Sequence, residues 1–266
     1  MSQFTLHYKS SKINYYVYGR GPNVLFCLHG YGENGSSFQF LEKELGSLYT
    51  LYAVDFPFHG ATEWAETEAF TAGDLLSVVS GIRSANSFSM LAYSMGGRAA
   101  MHILQEFPEN IERVVLVAPD GLHVNFWYWL ATQTFAGNKL FQATMNDPKW
   151  FFAFLDGAGK MKLLDESIIK FVHHFLDNKE ERILLYKRWS VMRKFKPRIA
   201  ALRKACSEKN IPLHFVFGRH DRIILSKRAD VFKKEANIHV KLIDAGHQLL
   251  KPKYAHEIAA LLSDSF

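Results

Sequence analysis

The apolar positions along the chain change their period in a regular way. Residues 4–8 alternate apolar with polar, and with residues 13–18 they read as two strands joined as a hairpin. From Val24 onward short apolar runs alternate with stretches of helical periodicity, which predicts parallel strand–helix units. One unit is especially clear. Ser89-Met90-Leu91-Ala92 fits a buried strand, and Ala99, Ala100, Ile103, Leu104 and Phe107 then follow at spacings of three and four, with Pro108 ending the helix. The alternation breaks after Gly121, and residues 122–207 are helical in pattern with no clear strand. Strand-like runs return at 213–217 and 238–243, before a last helix over 252–262. The expected organisation is an α/β core of residues 1–121 and 208–266, interrupted by a helical insertion over 122–207.

Composition narrows this picture. With 266 residues and 48% hydrophobic content, the chain can bury one sizeable α/β core plus an insertion. No basic-then-apolar leader and no long apolar run is visible, so neither a signal peptide nor a membrane span is expected, and a cytoplasmic protein is the default. Cys27 and Cys206 make no disulfide framework. Much of the formal charge of +6 comes from Arg182, Lys187, Arg188, Arg193, Lys194, Lys196, Arg198, Arg203 and Lys204, a stretch without an acid. Such a run is a solvated helix face, a steering field for an anionic substrate, or a docking patch for an anionic membrane. No nucleic-acid-binding motif accompanies it, so no nucleic-acid partner is expected.

The candidate chemistry starts at Ser94. In Ala92-Tyr93-Ser94-Met95-Gly96 the serine stands between a strand and a helix, with small residues two before and two after. That is the requirement of a nucleophile elbow, where bulk at either flank would collide as strand turns into helix. The bland alternative for Ser94 is an ordinary helix N-cap. A serine nucleophile needs a base, and the base an orienting acid. Asp221 follows the run 213–217, and His247 follows 238–243 in Asp244-Ala245-Gly246-His247, so Ser94, Asp221 and His247 occur in a recognised triad order. Asp120, after the strand around Val114, is the rival acid.

Two further motifs complete a resemblance. Val24-Leu25-Phe26-Cys27-Leu28-His29-Gly30-Tyr31-Gly32 is a strand followed by H-G-x-G, and Asp55-Phe56-Pro57-Phe58-His59-Gly60-Ala61-Thr62 is similar to D-x-P-G-H-G-x-S, with Phe58 in place of a glycine. From about Tyr15 to Leu262 the chain resembles the capped, serine-nucleophile α/β hydrolases: carboxylesterases, lactonases, monoacylglycerol lipases and carbon–carbon bond hydrolases. The resemblance implies the α/β-hydrolase fold, a mostly parallel eight-stranded sheet flanked by helices, with a helical cap inserted after the sixth strand. It implies a triad of Ser94, Asp221 and His247, and an oxyanion hole formed by the backbone N–H groups of Tyr31 and Met95. His29 and His59 become structural residues of their loops and His220 an exposed one. Adjacent His173 and His174 lack further ligands, so no metal is expected, and no cofactor is needed.

A serine here also argues against epoxide-hydrolase and dehalogenase chemistry, which uses an aspartate nucleophile. The expected activity is cleavage of a carboxylic ester, or a related acyl bond, of a small substrate. Aromatic residues of the insertion, among them Trp127, Trp129, Phe135, Phe141, Trp150 and Trp189, suggest that this substrate has an apolar portion or simply form the core of the cap. Carbon–carbon bond hydrolysis of an aryl dienoate, cofactor-free peroxidase or lyase activity, and a non-catalytic ligand sensor are the other activities the scaffold supports.

Overall fold

In a computed structural model, residues 2–160, 176–232 and 235–263 are described, the side chains of 158–160 apart. Eight strands form one sheet: β1 (Ser2–Tyr8), β2 (Ser11–Tyr18), β3 (Asn23–Leu28), β4 (Tyr49–Val54), β5 (Phe88–Tyr93), β6 (Ile111–Val117), β7 (Leu213–Gly218) and β8 (Ile238–Ile243). Their order is β1-β2-β4-β3-β5-β6-β7-β8. β1 and β2 form the expected hairpin, β2 pairs antiparallel with β4, and every other pair is parallel. This is the α/β-hydrolase fold expected from the sequence.

Burial explains the strand sequences. β5 and β7 are buried at every position and β3 at all but its first, because helices cover both faces of a parallel sheet. The edge strand β8 is buried only at its two ends, and β1 is mostly exposed. The helices Ala72–Ile82, Met95–Glu106, Ile199–Lys209 and Ala255–Ser263 flank the sheet. Leu25, Leu91, Val115 and Val216 share one core with Ile258 and Leu262 of the last helix. Each such side chain contributes about 1.5–3 kcal/mol by leaving water. Cys27 belongs to this core and is fully buried, and burial pushes its thiol up, as befits a packing residue.

The chain divides into two compact units, Met1–His123 with Lys194–Phe266, and Val124–Arg193. The second lies between β6 and β7 in sequence, and its described elements are the helices Phe126–Gln133, Phe135–Asn146, Lys149–Lys160 and Lys179–Val191. Half-buried aromatic rings pack together within it: Trp189 lies 5.1 Å from Tyr128 and 5.5 Å from Phe141, which lies 5.4 Å from Tyr186. Other aromatics of this unit are exposed, including Phe126, Trp127, Phe135 and Phe154.

The basic run does not form one stripe. Arg182 is buried, its Nε donating to the Met145 carbonyl at 3.1 Å and its Nη1 to the Asp177 carbonyl at 2.9 Å. Arg203 pairs with Glu235 at 3.1 Å and Arg198 with Glu106 at 3.8 Å, both within the first unit. Among the described residues no helix is long and apolar enough to cross a membrane.

Candidate active site

Ser94 is the residue between β5 and the helix Met95–Glu106, and its backbone is strained, with φ 48° and ψ −113°. The side chain makes no capping hydrogen bond to that helix, so Ser94 is not an ordinary N-cap. Neighbouring backbone holds the turn: Ser94 N–H donates to the Val117 carbonyl at 3.0 Å, and the Ser94 carbonyl accepts from Gly97 and Asp120 N–H at 2.9 Å each. Gly96 is obligatory, since a Cβ there would overlap the Leu28 carbonyl oxygen at the end of β3. Ala92 is fully buried beneath the turn.

The loops after β5, β7 and β8 bring three side chains together. Ser94 Oγ lies 3.1 Å from His247 Nε2, and His247 Nδ1 lies 2.8 Å from Asp221 Oδ2. The Asp221 side chain is wholly buried, and its other oxygen accepts from the Ile223 and Ile224 N–H groups at 2.8 and 2.9 Å. It therefore has no free lone pair turned to water on that side and cannot easily swing away from His247. Asp120, the rival acid, is engaged by Arg98 and by the Gly121 N–H, the latter at 2.7 Å. His220 is exposed and bonds Asp244 at 2.7 Å rather than joining the cluster.

The loop after β3 lies against the serine. A Cβ on Gly30 would come within 3.3 Å of Ser94 Cβ and 2.9 Å of the Tyr93 ring, so only glycine allows this approach. His29 fixes the loop. Its Nε2 accepts from the Phe56 N–H at 3.0 Å, which leaves Nδ1 as the protonated nitrogen, donating to the Gly30 carbonyl at 2.7 Å. The ring is fully buried and joins the loop after β3 to the turn after β4. That turn is centred on Asp55, whose carboxylate accepts from Gly35 N–H at 2.6 Å, Asn14 Nδ2 at 2.7 Å and Ala61 N–H at 3.0 Å. Phe58 keeps the left-handed conformation a glycine would take there, with φ 62°. His59 braces the same turn, its Nδ1 lying 2.9 Å from the Pro57 carbonyl oxygen.

Two candidate donors flank the serine. Met95 is the first residue of its helix, a position whose N–H has no partner within the helix. Tyr31 follows Gly30 and is exposed, its ring edge-on to His59 at 5.9 Å. Tyr93 adds a contact that the sequence did not signal: its hydroxyl donates to the His247 carbonyl at 3.3 Å, and its ring lies 5.6 Å from the imidazole. Burial pushes the Tyr93 hydroxyl up, with the nearby Glu33 and Asp221 charges adding to the effect. His173 and His174 lie outside the described residues.

Residues 24–260 match the model of the alpha/beta hydrolase family, and the chain belongs to that family. Among curated proteins, a pimeloyl-[acyl-carrier protein] methyl ester esterase of Nitrosomonas europaea is 27% identical over 42% of this chain and 43% of its own length. A serine hydrolase-like protein of Danio rerio is 32% identical over 45% of this chain and 38% of its own. These alignments thus span less than half of either relative. Two solved structures share the fold over 98% of both chains: an esterase of Thermogutta terrifontis, with a TM-score of 0.69 at 11% identity, and a hydrolase of Pseudomonas aeruginosa, with 0.67 at 15%.

Proposed function

We propose that this protein is a serine hydrolase that cleaves a carboxylic ester, or a related acyl bond, of a small and partly apolar substrate through an acyl-enzyme. One observation carries the proposal: the unbroken chain of contacts from Ser94 Oγ through His247 to Asp221, at 3.1 and 2.8 Å. In this mechanism Ser94 attacks the carbonyl carbon while His247 Nε2 takes the hydroxyl proton. Asp221 holds the imidazole by Nδ1 and favours the imidazolium. The N–H groups of Met95 and Tyr31 receive the developing oxyanion, the first helped by the helix macrodipole. His247 then protonates the leaving alcohol, and a water activated by the same imidazole releases the acid. Every proton movement runs through His247, so no cofactor is invoked. The relatives named as esterases point to the same chemistry.

The partly apolar substrate is proposed from the aromatic content of residues 124–193, which we assign to substrate selection. Hydrolysis of p-nitrophenyl esters of graded acyl length, with wild type beside Ser94→Ala, tests both parts. The expected outcome is turnover with a length optimum, reduced about 10⁴-fold or more in Ser94→Ala. Full activity in Ser94→Ala would overturn the nucleophile. A folded wild type that reacts with a fluorophosphonate yet turns over no ester would move the assignment to carbon–carbon bond cleavage or ligand sensing.

A further inference from the structure

Tyr93 is the last residue of β5, immediately before Ser94, and its side chain is buried. That side chain touches two loops at once. Its ring lies 5.6 Å from the His247 imidazole, at 33° to it, and its hydroxyl donates to the His247 carbonyl at 3.3 Å. The same ring lies against Gly30 of the loop after β3, where a Cβ would come within 2.9 Å of it. Leu91, Val117 and Leu249 belong to the same buried cluster, so the ring has little freedom to turn. A buried phenol hydroxyl needs a partner, and here the partner is the backbone of the residue that faces the serine.

His247 belongs to a loop outside any helix or strand. Its carbonyl also accepts from the Leu249 N–H at 2.9 Å, which fixes the residue within its own loop. The Tyr93 hydroxyl instead fixes it against β5. Ser94 is tied to that strand end by the next peptide bond, and its own backbone is held by Val117, Gly97 and Asp120. One rigid side chain therefore spans from the residue beside Ser94 to the backbone of His247. We propose that Tyr93 is a positioning residue that acts through His247, its hydroxyl setting the reach from His247 Nε2 to Ser94 Oγ. This rests on the serine-hydrolase reading above and deepens it. The proton passes from Ser94 Oγ to His247 Nε2, and Tyr93 neither gives nor takes one. Burial, with the Glu33 and Asp221 charges adding to it, pushes the Tyr93 hydroxyl up, so the phenol remains a donor wherever an imidazole can work as a base. Misplacement of a base lowers rate steeply, which is why a contact to its backbone matters to chemistry as well as to packing.

Tyr93→Phe is the test, because it removes the hydroxyl and leaves the ring in a core that accepts phenylalanine. In ester hydrolysis kcat is expected to fall roughly three- to tenfold with KM within about twofold, and fluorophosphonate labelling of Ser94 to slow by a similar factor. A second readout needs no turnover. The proton that His247 Nδ1 shares with Asp221 is followed by NMR in the intact resting protein and assigned by its loss in His247→Asn. Its exchange with water is expected to quicken by ~3–10-fold in Tyr93→Phe, as the loop after β8 loses its tie to β5. An unmoved exchange rate overturns the proposal, as does a kcat equal to wild type or a loss confined to KM or to thermal stability. Failure of the hydrolase reading shows separately, as a wild type that neither hydrolyses esters nor takes a fluorophosphonate. In that event the exchange rate still decides whether Tyr93 holds His247 in place.

Discussion

Asp120 and Asp221 stand at equivalent places on neighbouring strands, each the third residue beyond its strand end. Both are aspartates, and both accept hydrogen bonds from nearby backbone N–H groups. Their partners differ. Asp120 is claimed by Arg98, which projects from the helix that begins just after Ser94, and keeps 27% of its side chain exposed. Asp221 has none exposed and faces His247. Strand-end position and residue type therefore do not distinguish the two aspartates; the side chain that reaches each one does. An arginine beside one aspartate neutralises it in place, while an imidazole beside the other couples it to a group that can accept a proton.

Exchanging each partner in turn sharpens this contrast. Asp221→Asn is expected to have the largest effect, a loss in kcat of about 10³–10⁴, because an amide favours the wrong imidazole tautomer. Steady-state ester kinetics would show it, with circular dichroism confirming an intact fold. The comparison would break if Asp120→Asn took that loss instead. Asp120→Asn should leave kcat within about threefold and cost roughly 1–3 kcal/mol of stability, since the largely buried Arg98 loses its counter-charge while some solvent screening remains. Thermal unfolding would register it at roughly 2–4 °C per kcal/mol for a chain of this size. His220→Ala should matter least. Although adjacent to Asp221, His220 pairs with Asp244 at the surface, with 67% and 83% of the two side chains exposed, and such a pair contributes less than about 1 kcal/mol. Its ester kinetics are expected within twofold of wild type, and a larger loss would give His220 a place in the site.

Much of this arrangement was legible in the sequence because it rests on local rules. The buried run of β5, the small residues around Ser94 and the helical spacing after it each state a requirement of the turn, and the structure meets all three. Residues whose importance comes from a distant neighbour were not legible. Tyr93 reads as one more apolar residue of β5 until its hydroxyl meets the loop after β8. The end of the helical insertion was equally hidden. Helix Ile199–Lys209 continues the basic, helical composition of the residues before it, yet the compact division falls at Arg193 and Lys194. Periodicity shows that Leu202, Ala205 and Cys206 share a buried face; it does not show which unit that face serves.

Phe58, Ser94 and Ala118 hold φ values of 62°, 48° and 43°, and they follow the carboxyl ends of β4, β5 and β6. For residues other than glycine such a backbone costs on the order of 1–2 kcal/mol each. The rim of the sheet that carries the serine is therefore also a place where the backbone narrows the choice of side chain. Side chains branched at Cβ tolerate left-handed backbone least, so valine, isoleucine and threonine are disfavoured at three positions along one rim of the sheet. A threonine at 94 would keep the hydroxyl and a comparable nucleophilicity. It would meet the geometry of the turn before its chemistry could be tried, so the backbone by itself already favours serine over threonine at this position.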